Sequence, residues 1–78
     1  MIKILRLDST WIISEVEEIP DVEIGDPDCV LKYPYEIVDG ELKRYPPHTK
    51  DEEIIVRSSD IFVITEPDED ILKLYNDR

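Results

Sequence analysis

The stretch Glu53-Ile54-Ile55-Val56-Arg57-Ser58-Ser59-Asp60-Ile61-Phe62-Val63-Ile64-Thr65 decides the architecture of this chain. Two runs rich in β-branched and aromatic residues flank a short polar segment. That pattern predicts two strands, residues 53–57 and 61–65, joined by a tight turn in which the Ser58, Ser59 and Asp60 side chains hydrogen-bond locally. A strand on a half-solvated sheet carries a polar residue at every second position, and Ile54-Ile55-Val56 and Ile61-Phe62-Val63-Ile64 do not. Both faces therefore need cover. In a chain this small one barrel interior covers one face, so the other needs a helix or a neighbouring subunit. An uncharged, β-branched edge left unpaired is also an aggregation hazard. The expectation is a homo-oligomer built by edge-strand addition, with Ile54, Val56, Ile61 and Val63 at the interface between subunits.

Upstream, residues 2–7 and 11–19 read as two strands of a hairpin across the polar turn Asp8-Ser9-Thr10. Pro20 ends the second strand, and residues 21–28, acidic and containing Gly25 and Pro27, form a surface loop. Residues 29–38 form a third strand interrupted by Pro34, which implies an edge position or a bulge there. Asp39-Gly40 is a two-residue turn into a strand over 41–45, the strongest hairpin signal in the chain. Beyond Thr65 the period changes. A short helix over 67–76 is predicted, capped by Thr65 or Asp68, with acidic residues in its first turn and Ile71, Leu72, Leu74 and Tyr75 on one face.

Composition agrees. The 78 residues suit one domain, and 25 of them are Ile, Leu, Val or Phe, enough for a core despite the charge. There is no Ala and no Gln, so β-branched residues outweigh straight-chain helix formers. A net charge of −11 repels nucleic-acid backbone and anionic membrane. Cys29 is the single cysteine, which excludes an internal disulfide and a thiol metal cluster within one chain. Met1 leads directly into an alternating segment with Lys3 and Arg6, without an apolar leader, so an intracellular, cytoplasmic setting without membrane contact is expected.

The candidate chemistry is thin. Glu15 and Glu17 share one strand face and read as a solvated row, with Glu18 beside them. Asp21, Glu23, Asp26 and Asp28 supply hard oxygen ligands, but their spacing does not match a calcium loop. His48 in the Pro-Pro-His-Thr-Lys loop and Cys29 lack an evident orienting group, so surface histidine and structural cysteine are the plainer assignments. Two glycines cannot build a phosphate loop, and Ser9, Ser14, Ser58 and Ser59 have no nucleophile elbow. Neither an enzyme nor a cofactor is expected. Trp11, Tyr33, Tyr35, Tyr45, Phe62 and Tyr75, with Lys32, Lys43, Arg44 and Lys50, contain the ingredients of a base-stacking platform, although packing is the commoner use of such residues.

The segment Val56 to Ile64 resembles the second motif of the Sm/LSm-like family, in which hydrophobic-Arg-Gly-x-Asn-hydrophobic joins the last two strands. Leu5-Arg6-Leu7-Asp8-Ser9 and Ile12-Ile13-Ser14-Glu15-Val16 through Ile19 are similar to its first motif, and small acidic Sm-like proteins of cyanophage-type viruses are the nearest kind. The resemblance implies a mainly β fold, a strongly bent five-stranded barrel that assembles into a ring, here with a short C-terminal helix in place of the family's usual helix before the first strand. It also implies a virus-encoded protein in a bacterial host. Arg57 falls on the family's arginine and Asp60 on its asparagine, which makes these two the carried-over RNA-binding residues. Ser58 replaces the usual glycine, and residues 21–28 contain no asparagine to complete the pocket. The expected partners are thus copies of the same chain, with RNA or a host protein beyond them. The alternative is an acidic inhibitor that mimics nucleic acid and occupies a host protein's nucleic-acid site through rows of carboxylates.

Overall fold

The structure, a computed structural model, describes all of residues 1–78. The chain runs through β1 (Ile2–Leu7), β2 (Thr10–Glu18), β3 (Cys29–Val38), β4 (Glu41–Arg44), β5 (Glu53–Val56), a 3-10 turn (Ser58–Asp60), β6 (Ile61–Thr65) and α1 (Glu69–Asn76). Every strand pair is antiparallel. The order across the sheet is β4-β3-β2-β1-β6, with β5 also on β3. The fold is therefore mainly β, with one sheet and one short helix.

Local chemistry explains the turns. Asp39 and Gly40 both have positive φ, 52° and 78°, the backbone of a two-residue hairpin turn whose twist matches its flanking strands. Asp8, at φ 53°, opens the turn between β1 and β2. Asp68 caps α1 by accepting the Ile71 N–H at 2.9 Å, so the helix starts at Glu69, two residues later than predicted from sequence.

Pro34 marks a bulge inside a central strand, because proline has no N–H for the ladder. The β2–β3 register shifts between Ile13, opposite Tyr35, and Glu15, opposite Lys32, and Tyr33 takes a left-handed φ of 51°. The bulge divides the far edge of β3. Residues 29–32 pair with β5, and residues 35–38 pair with β4. Register then sorts the faces. Leu5 and Ile12 sit opposite one another and are fully buried on one side; Ile13, one residue along, is fully buried on the other. The second face is covered where Tyr75 of α1 meets Tyr35, whose ring is 6.1 Å away and edge-on.

The structure corrects the five-stranded barrel implied by the resemblance. The sheet has six strands and is not closed. β5 uses its one paired edge on β3 and β6 uses its one on β1, so no ladder joins β5 to β6 across the gap. Only 8 of 78 residues are buried, and among the apolar residues left exposed Ile55, Phe62, Val63 and Ile64 lie on the two strands that flank that gap.

Candidate functional site

The opening between β5 and β6 is an apolar groove of about 570 Å³ lined by Leu7, Pro27, Ile55, Val56 and Phe62, with Asp8, Arg57 and Asp60 at its polar rim. Beyond the Ser58–Asp60 turn, β6 pairs with β1 and does not fold back on β5. A bulge between Arg6 and Leu7 leaves Phe62 as an extra residue on β6, directed out of register. Phe62 is 67% exposed, Ile55 60% and Ile64 55%.

The four residues predicted at the interface distribute unevenly. Ile54, opposite buried Leu31, and Val56, opposite buried Cys29, face the core and are partly covered. Ile61 is also partly covered, while Val63 is exposed. The most exposed apolar residues on these strands are Ile55, Phe62 and Ile64, which simple alternation assigned to no role. Both strands still have one unpaired edge, and neither edge carries an interior charge or proline. By contrast, β4 exposes Glu41, Lys43 and Arg44, the charged guard that keeps an edge from pairing.

Arg57 and Asp60 are brought together. The Arg57 Nε donates to Asp60 Oδ2 at 3.0 Å, closing the two carried-over residues into an ion pair. Behind them, Ser58 donates its backbone N–H to Asp28 Oδ1 at 2.6 Å and its hydroxyl to Asp28 Oδ2 at 2.7 Å. The Ser58 hydroxyl, then its N–H, hold the Asp28 carboxyl below its usual value of 3.8. Ser58 thus ties the turn to the acidic loop.

The remaining candidates disperse. Cys29 is buried at the start of β3, and burial, with Asp28 and Glu18 nearby, pushes its thiol above the usual value of 9.0, which suits a neutral packing residue. His48 is exposed at φ 65°. No three His, Cys, Asp or Glu side chains gather as metal ligands. Of the Glu15–Glu17 row, Glu17 is paired with Lys32 on the neighbouring strand at 3.1 Å, and the same lysine lies 3.9 Å from Glu53 of β5. The aromatic residues do not form one platform either. Trp11 lies under the Arg6 guanidinium at 5.1 Å, Phe62 sits at the groove, and Tyr33, Tyr35 and Tyr75 gather around Arg78. The last grouping had only one sequence signal, the interruption at Pro34 that turns Tyr33 outward. No helix is long and apolar enough to cross a membrane.

An open antiparallel sheet with two unguarded edges, an apolar groove between them and a helix latched over a strand bulge defines a small acidic β-sheet domain. The chain belongs to the family described as Family of unknown function (DUF6561), which it matches over residues 1–78. No curated protein matches it in sequence.

Proposed function

We propose that the chain is a non-enzymatic module that assembles with copies of itself, in the manner of an Sm-like ring, by pairing β5 of one copy with β6 of the next. The observation that carries this is the contrast among the three sheet edges: β4 is guarded by charge, whereas β5 and β6 are apolar, unpaired and flank a groove with Ile55, Phe62 and Ile64 exposed. The two open edges are of similar length, four and five residues. Joining one kind of edge to the other is a head-to-tail contact, which generates a ring when the rotation between copies closes. It would satisfy the free backbone groups and cover the apolar side chains in one step.

RNA binding is a lesser component of this reading. Arg57 is already paired with Asp60, and a charge of −11 per copy repels polyanions. The acidic-mimic alternative has less support, because Lys32 pairs with Glu17 and so interrupts the most regular carboxylate row. Native mass spectrometry at micromolar protein tests the proposal. It should show a single multiple of the 9.2 kDa subunit mass, and a lone 9.2 kDa species would overturn it.

A further inference from the structure

We propose that Tyr33, Tyr35 and Tyr75 form an organic-cation site whose resident in this conformation is the chain's own Arg78, and that a guanidinium or methylated ammonium group from outside takes its place. The Arg78 guanidinium carbon lies 3.9 Å from the Tyr75 ring centroid, 5.2 Å from that of Tyr33 and 5.3 Å from that of Tyr35. All three fall within the roughly 6 Å over which an aromatic face attracts a cation. One such contact is ordinary for a surface arginine, but three rings converging on one charge make a cage.

The cage is built before any ligand arrives. The Tyr75 hydroxyl donates to Tyr33 O at 2.8 Å and lies 3.2 Å from Lys32 O, which fixes its ring on the bulge of β3. Tyr35 meets that ring edge-on at 82°, leaving its own face toward the cation. The bulge turns Tyr33 outward, where it is 42% exposed and forms the open wall. An adjoining cleft of about 300 Å³, lined by Tyr35, Leu42, Leu74 and Asp77, gives an entering side chain a path with a carboxylate beside it.

Arg78 is a weak occupant. Its only hydrogen bond here is from Nη1 to Tyr75 O at 2.6 Å, three residues back, and no acidic side chain pairs with it. An external cation therefore competes with a tethered one and pays no cost of breaking a salt bridge. The overall negative charge of the chain favours its approach. Anions gain nothing from the same geometry, since the negative ring faces repel them.

The experiment is an NMR titration of wild type, Arg78→Ala and the double variant Arg78→Ala/Tyr33→Leu with tetramethylammonium and, in parallel, with a peptide bearing one trimethyl-lysine. Arg78→Ala should show saturable shifts of the Tyr33, Tyr35 and Tyr75 ring signals, with an affinity about tenfold above wild type, a gap that a cation–π competitor of ordinary strength accounts for. The double variant should lose the response while keeping the dispersed spectrum of a folded chain. Tighter binding of the peptide than of tetramethylammonium identifies a side chain as the natural source of the cation, and equal binding identifies a free solute. Absence of saturable ring shifts in Arg78→Ala, or an equal response in all three proteins, overturns the proposal.

Discussion

The Tyr75 hydroxyl donates to the backbone carbonyl of Tyr33 across 42 residues, at 2.8 Å, and so binds the last helix to the bulge of the central strand. The bulge leaves the Lys32 and Tyr33 carbonyls without full ladder partners. Tyr75 donates to Tyr33 O and lies 3.2 Å from Lys32 O, Ser14 Oγ lies 3.0 Å from Lys32 O, and the Tyr33 N–H donates to Glu52 O at 2.6 Å. Burial pushes the Tyr75 phenol above its usual 10.0, so the donor keeps its proton at neutral pH. Tyr75→Phe should preserve ring packing and lose about 1–3 kcal/mol, the cost of leaving a buried acceptor short of its partner. For a domain of this size each kcal/mol lowers Tm by roughly 4–8 °C, which thermal denaturation followed by circular dichroism resolves. An unchanged Tm would mean that water serves the carbonyls equally well.

Val63 is exposed and its strand edge unpaired, so a charge there separates assembly from folding. Val63→Lys should dissociate the proposed oligomer to folded monomers, because burying an unpaired ion in such a subunit contact costs several kcal/mol, on the order of 3–5. The isolated subunit should change by only about 0.5 kcal/mol, as for other exposed substitutions. Light scattering with a parallel melting curve checks both halves. An oligomer of unchanged mass would remove β6 from the interface.

Asp28 makes the stability of the β5–β6 turn depend on acid pH. Its folded pKa is held below 3.8 by the Ser58 hydroxyl first and the Ser58 N–H second. The stabilisation is thus complete above 3.8 and is lost as pH falls through the lowered folded value. Ser58→Ala removes the larger cause, so the Asp28 carboxyl followed by NMR should titrate closer to 3.8. A titration identical in both proteins would show that the hydroxyl does not stabilise the carboxylate.

Single-stranded RNA should bind weakly or not at all at physiological salt. Only Arg57 retains the expected identity at the carried-over positions, and Asp60 holds it at 3.0 Å. Any electrostatic binding should fall steeply between about 50 and 200 mM salt, through counterion release. Titration of labelled oligo(U) and oligo(A) over that range decides it. Submicromolar, oligo(U)-selective binding at the higher salt that disappears in Arg57→Ala would promote RNA to the principal ligand.

Much of the fold was legible because its signals are local. Six strands at residues 2–7, 11–19, 29–38, 41–45, 53–57 and 61–65 were predicted, and the observed elements agree to within a residue or two at each end. The Asp39-Gly40 turn and the Pro34 interruption act through their own backbone, so composition and spacing suffice to place them, whereas Thr65 and Asp68 were both candidates for the helix cap and the fold selects Asp68. The candidate site was legible only in part. Two-faced strands at 53–57 and 61–65 were read as needing cover, but Ile54 and Val56 face the core, and the exposed set is Ile55, Phe62 and Ile64.

The sequence by itself determined strand identity, turn chemistry and charge, since these depend on residue type and on neighbours a few positions away. Tertiary structure alone decided which edges stay open, that Lys32 breaks a carboxylate row on another strand, and that Tyr33, Tyr35 and Tyr75 meet around Arg78. Such relations join residues tens of positions apart. They arise when a bulge re-aims one strand and a helix returns across it, and periodicity along a single segment carries no record of the register between segments.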